Sequence, residues 1–156
     1  YPDRKKCTCS QGQIKNYLGR ISKPLLDRID IFTETIILKY GEISNSDKGE
    51  NSYDVRKRIE KVHHIQKERY KNDGILFNSE LSAGMIKRYC VMDNEAKEYL
   101  ENIFENMEFS ARAYHKVLKT ARTIADMDES GEIKRKHISE AVCYRTADKK
   151  YWGVTM

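Results

Sequence analysis

A chain of 156 residues suits one domain, or a small domain with a piece of a neighbour. Hydrophobic residues at 39% allow a modest core, and charged residues at 34% imply long solvated helix faces. Mean hydropathy is -0.77; no window approaches the run of about 18 apolar residues that a membrane helix needs, and no leader pattern opens the chain, so the expectation is a soluble cytoplasmic protein with no membrane partner.

Net charge is +5. That permits contact with nucleic acid without requiring it, because binding depends on clustering rather than totals. The chain opens on Tyr1 rather than methionine, which predicts a piece of something longer.

Residues 1–12 are polar and read as loop. They hold Cys7 and Cys9, a C-x-C pair that is at most half of a zinc site, since zinc normally takes four ligands. Cys90 and Cys143 fall inside apolar-periodic segments and read as buried thiols. Ser10 is placed to cap a helix over 13–21, and Pro24 opens a helical turn over 25–28. Residues 31–38 are rich in β-branched side chains and read as a strand. Residues 41–51, rich in Gly, Ser, Asn and Asp, read as a linker.

Helical periodicity governs the rest. A helix is predicted over 53–71 with Val55, Ile59, Val62 and Ile65 inward, and Asp73-Gly74 as a turn after it. Ser82, Asp93 and Ser110 each stand where a helix N-cap belongs, ahead of apolar stripes that include Ile86, Leu100 and Val117. Ser130-Gly131 breaks the third of these helices, and a last one is expected over 136–144. The pattern predicts a mainly α fold: a strand-bearing segment over 1–40, a joint over 41–51, and a helical bundle over 52–156. A lone strand cannot satisfy its own backbone groups, so the first segment needs neighbours.

Two arginines stand out. Arg28 follows Pro24-Leu25-Leu26-Asp27, just ahead of the predicted strand. Its planar, always-protonated fork suits the charge on a transferring phosphate; its other reading is a surface ion pair with Asp27 or Asp30. Arg112 falls in the first turn of a predicted helix, where the dipole and free amides already favour an anion; its other reading is a solvated side chain. A third feature is the basic helix over 53–71, where seven cations, among them Arg56, Lys57 and Lys61, face three carboxylates. That helix reads either as a nucleic-acid backbone contact or as a solvated face. His63 and His64, about 100° apart on a helix, cannot share one metal, and His137 reads as a packing or capping residue.

Several stretches in order carry a resemblance. Cys7-Thr8-Cys9-Ser10, Gln13-Ile14, Tyr17-Leu18, Arg20-Ile21-Ser22 and Pro24 through Asp30 resemble the end of the AAA+ module in magnesium-chelatase-like ATPases. Ser110-Ala111-Arg112-Ala113-Tyr114, Ala121 through Asp126, and His137-Ile138 through Tyr144-Arg145 resemble the same family's C-terminal lid domain, and the YifB or ComM type in particular. The resemblance implies a helical lid bundle preceded by a remnant of the α/β core. It implies that Arg28 is an arginine finger reaching the ATP of a neighbouring subunit, and that Arg112 is the sensor 2 arginine contacting the γ-phosphate. The parent would be a hexameric, ATP- and Mg2+-dependent DNA motor acting in branch migration and competence, its partners being its own AAA+ core and the next subunits of the ring.

The sequence departs from that pattern in what it lacks, the family's upstream C-x-C pair included. No Gly-rich segment precedes Lys-Ser or Lys-Thr, so the Walker A loop G-x-x-x-x-G-K-[ST] is absent, and the Walker B pair and sensor 1 are expected upstream. This chain alone is not expected to hydrolyse ATP. Three readings stand: a motor fragment acting through Arg28 and Arg112, a nucleic-acid-binding helical module, and an oligomerisation scaffold.

Overall fold

Helix caps divide the chain almost wherever the sequence offers one. The computed structural model describes residues 7–35, 38, 40, 41, 49–107 and 109–152, with 146–151 as backbone only. Helix α1, Gln11–Leu18, starts on a reciprocal capping box in which Ser10 and Gln13 satisfy each other's amides. The short helix α2, Lys23–Leu26, follows with Pro24 in its first turn. Asn51 caps α3, Ser52–Tyr70, by accepting the Asp54 amide. Gly74, at φ 69°, turns the chain as Asp73-Gly74 predicts. A 3-10 turn, Asn78–Glu80, leads to α4, Ala83–Tyr89, capped by Ser82. Asp93 accepts the Ala96 amide at 2.8 Å at the head of α5, Asn94–Met107. Ser110 accepts the Ala113 amide at 3.1 Å at the head of α6, Ala111–Met127. The last helix, α7, is Arg135–Trp152, longer than the periodicity predicts.

The fold is mainly α. The strand-bearing remnant is a correction. Residues 31–35 form no ladder, while Ile36 and Ile37 lie outside the described residues. β-Branched side chains supply a preference, but a strand exists only where a neighbour completes its hydrogen bonds. Here the Phe32 amide donates instead to the Tyr144 carbonyl of α7 at 2.9 Å. Most of the expected linker, 42–48, also lies outside the described residues. The one isolated β-bridge among the described residues is parallel and joins Met92 to Ile133. No helix among the described residues is long and apolar enough to cross a membrane.

Helix α6 is the centre of the bundle. It packs on α3, on α4, on the 3-10 turn and on α7, and α7 also packs on α5. Its buried face carries Ala113, Val117, Leu118, Ala121, Ile124 and Ala125 at helical spacing. Ile86, Cys90, Ala96, Leu100, Ile133, Ile138, Ala141 and Val142 close on it from the other elements. Cys90 is buried as the sequence predicts; Cys143 is exposed, a second correction. The helix positions Ala141 and Val142 face inward, and the next residue falls about 100° further round.

The same helix buries two charges, Arg122 and Asp126, both 1% exposed. Asp126 accepts from Arg122 Nε at 3.0 Å, from Asn78 Nδ2 at 2.9 Å and from both terminal nitrogens of Arg69. Arg122 spends its remaining donors on the carbonyls of Gly131 at 2.8 Å and Ser130 at 2.5 Å. Asn78 further donates to Thr123, accepts from Tyr70, and gives its backbone amide to Gln66. Burial works against the Arg69 charge, yet the bonds to Asp126 and Tyr70 outweigh it and hold its pKa above the ordinary value.

Removing one partner of a buried pair leaves an uncompensated charge, which costs about 3–5 kcal/mol, whereas an exposed pair is worth about 0–1 kcal/mol. Urea denaturation of Asp126→Ala is therefore expected to show a loss in the first range. Arg58→Ala, which breaks an exposed pair with Glu50 of 2.7 Å, is expected to stay within the second.

Candidate functional site

The two arginines singled out in the sequence both point to solvent. Arg28 lies just past α2, whose C-cap is Asp27; it is exposed, and no hydrogen bond or ion pair among the described residues uses its guanidinium. The expected surface pairing with Asp27 or Asp30 is not made, because Asp30 is bound instead by Lys116. Arg112 is the second residue of α6 and is exposed, again with no side-chain partner among the described residues. Helix geometry leaves the amides of Ala111 and Arg112 without intrahelical acceptors, while the Ser110 side chain takes that of Ala113. A free guanidinium beside free amides at the positive end of a 17-residue helix is an arrangement suited to a phosphate oxygen.

The tertiary structure links these two segments through Lys116, one turn beyond Arg112 on α6. Its Nζ donates to the Arg28 carbonyl at 2.5 Å and to the Asp30 carboxylate. Beside the start of α6 a cavity of about 330 Å³ opens between α5 and α6. Met92, Leu100, Phe104, Ala111 and Tyr114 give it apolar walls, and Lys97, Glu101 and Glu105 line it as well. Two carboxylates there disfavour a phosphate inside the cavity.

The remaining candidates are scattered. Cys7 is half-buried and Cys9 exposed. The Cys9 amide holds the Cys7 thiol below its ordinary pKa, and the hydrogen bond between the two thiols raises that of Cys9. No group of three potential metal ligands occurs among the described residues, so the described residues add no further donors to the pair. On α3, Arg56 and Lys57 are exposed without side-chain partners among the described residues. Lys61 pairs with Glu129 at 2.6 Å, Lys71 with Glu68 at 3.8 Å, and Arg69 turns inward to Asp126. The basic excess read from the sequence is thus largely answered by carboxylates. His63 and His64 are exposed, the His63 ring lying tilted against Phe77 with centroids 5.0 Å apart. His137 is buried and accepts the Lys134 amide at 2.9 Å through Nδ1, a capping role.

Sequence reasoning missed Asn78 and Arg69, which no periodicity singles out. Arg122 and Asp126 did leave a signal: two opposite charges four residues apart, inside the apolar stripe of Ala121, Ile124 and Ala125.

Residues 49–145 match the family described as magnesium chelatase, subunit ChlI C-terminal. Residues 1–43 match magnesium chelatase, subunit ChlI. The chain belongs to the magnesium chelatase ChlI family. Among individual proteins, it is 37% identical over 142 residues to the uncharacterized protein YifB of Salmonella typhimurium, covering 90% of this chain and 27% of that protein. It is 39% identical over 137 residues to competence protein ComM of Haemophilus influenzae, covering 87% of this chain and 26% of that one. The chain therefore spans about a quarter of the length of the relatives it matches.

Burial pushes the Cys90 thiol up to about 11, so at pH 8 it is almost wholly protonated and unreactive. Alkylation with iodoacetamide at pH 8, read residue by residue by mass spectrometry, is expected to label Cys7 first and to leave Cys90 unmodified. The thiolate of Cys90 forms only as pH rises towards 11.

Proposed function

We propose that this chain is the lid-bearing part of a larger AAA+ ATPase of the YifB or ComM type, working in the cytoplasm as a ring. Arg28 acts as the arginine finger on ATP bound by the next subunit. Arg112 contacts the γ-phosphate as sensor 2. The observation that carries this reading is that both guanidinium groups are exposed and free of side-chain partners among the described residues, on segments tied together by Lys116.

The residues present fit a phosphate contact and not metal coordination. Arg112 sits at a helix N-terminus with free amides, whereas the described residues hold no ligand cluster for a cation. ATP and Mg2+ would then be held by segments of the parent beyond this sequence, which lacks a Walker A pattern. When bound, the nucleotide supplies the phosphoryl group and the charge that develops on it. Arg28 and Arg112 supply planar, always-charged forks towards that charge. If zinc binds at Cys7 and Cys9, it needs two further donors from elsewhere in the parent or from another subunit.

DNA is the proposed substrate of the parent, by likeness to a competence protein. A second reading, that this chain itself contacts DNA, is narrowed by the ion pairs of α3. Arg56, Lys57 and Lys67 are the cations of α3 outside an ion pair among the described residues. Three phosphate contacts would give a salt slope of about -2.7, against the steeper one that seven cations would give.

The test uses mixed oligomers of the full-length protein. An arginine finger is worth about 10³ to 10⁵ in rate, so Arg28→Ala is expected to lose ATPase activity to that degree. Mixing it with a Walker-dead subunit is expected to restore turnover, since the Walker-dead subunit lends its arginine to an intact pocket. Unchanged activity in both Arg28→Ala and Arg112→Ala would make the region a scaffold instead.

A further inference from the structure

Three consecutive residues around the proposed finger each give an acceptor to a cation of the bundle. The Arg28 carbonyl accepts from Lys116 at 2.5 Å. The Ile29 carbonyl accepts from Arg145 of α7. The Asp30 carboxylate accepts from Lys116 again. Both donors are rooted in the bundle: the Lys116 side chain is 16% exposed and Arg145 is 2% exposed. Arg145 also lies over the Phe32 ring at 5.1 Å, while the Phe32 amide bonds to Tyr144.

Left to itself this segment has little to hold it. Leu26 is the buried apolar residue of α2, while Leu25, Ile29 and Ile31 are exposed, and no ladder forms over 31–35. Charge-assisted bonds to carbonyls and a carboxylate are about twice as strong as neutral ones and fix direction as well as distance. They fasten the backbone and leave the Arg28 guanidinium pointing away.

We propose that Lys116 and Arg145 are positioning residues that clamp the backbone of residues 28–30 to α6 and α7, so that Arg28 and Arg112 move as one rigid body. A functional constellation must be held to about 0.5 Å, and an exposed arginine inherits that accuracy only from its backbone. Lys116 stands one turn from Arg112 on the same helix, so a shift of α6 at the phosphate of one ATP is transmitted to the finger acting on the next. The coupling between neighbouring sites rests on the roles proposed for Arg28 and Arg112; the clamp itself does not.

The full-length protein allows both to be examined. Lys116→Met keeps the aliphatic stem and removes the donor; Lys116→Arg restores one. Hydrogen exchange measured by mass spectrometry is expected to rise about tenfold for the amides of residues 29–32 in Lys116→Met. Peptides from 113–125 are expected to stay protected, showing that the bundle is folded. In parallel, the Hill coefficient for ATP is expected to fall towards 1 in Lys116→Met and to recover in Lys116→Arg. Unchanged exchange at residues 29–32 would overturn the clamp. Raised exchange with an unchanged Hill coefficient would overturn the coupling. Full activity in Arg28→Ala would instead remove the finger role, while the exchange result still decides the clamp.

Discussion

A single buried carboxylate organises this molecule. Asp126 accepts from Arg122, Asn78 and Arg69 and thereby joins α6 to the 3-10 turn and to α3. Arg122 carries the connection on to the carbonyls of Ser130 and Gly131, which fixes the turn before Ile133 and α7. A charge this deep is tolerated because nearly every lone pair and donor around it is used. The network selects one arrangement of the helices, where apolar side chains alone would accept several.

The position of α6 then decides what the rest can do. Its buried half is committed to the core and to Asp126. Its outer side near the N-terminus is free of that commitment: behind the Ser110 cap stands Arg112, and one turn further on Lys116. Arg112 faces solvent with open amides beside it, and Lys116 reaches back to the segment that carries Arg28. The element that holds the bundle together is therefore also the one on which the candidate site is assembled. Trp152 Nε1, bonded to the Leu18 carbonyl at 3.0 Å, holds α1 to the same body from the far end of α7.

Charge was the least legible property. Arg58, Lys61, Arg69 and Lys71 all contribute to a basic helix when α3 is read alone, yet each meets a carboxylate in the fold. Asp126 comes from the last turn of α6 and Glu129 from the turn just after it, both far away in sequence, so no window around α3 contains them. Residues 31–35 of the expected strand form no ladder for a related reason, since a ladder is a property of two segments and the Phe32 amide finds α7 instead. Cys143 was misplaced because an apolar neighbourhood in sequence does not fix the angle at which one residue leaves its helix.

The sequence by itself determined the local grammar. Ser10, Ser82, Asp93 and Ser110 cap the helices they precede, Asp73-Gly74 turns the chain, and apolar spacing names the buried face of α6, because each of these depends on residues within one or two turns of one another. It also offered Arg28 and Arg112 as the arginines to watch. Only the tertiary structure decided that both remain without side-chain partners among the described residues, that Lys116 and Arg145 grip the backbone beside Arg28, and that Arg69 turns inward to Asp126. Those outcomes depend on which cation meets which acceptor across tens of residues, and that pairing is fixed by how the helices pack.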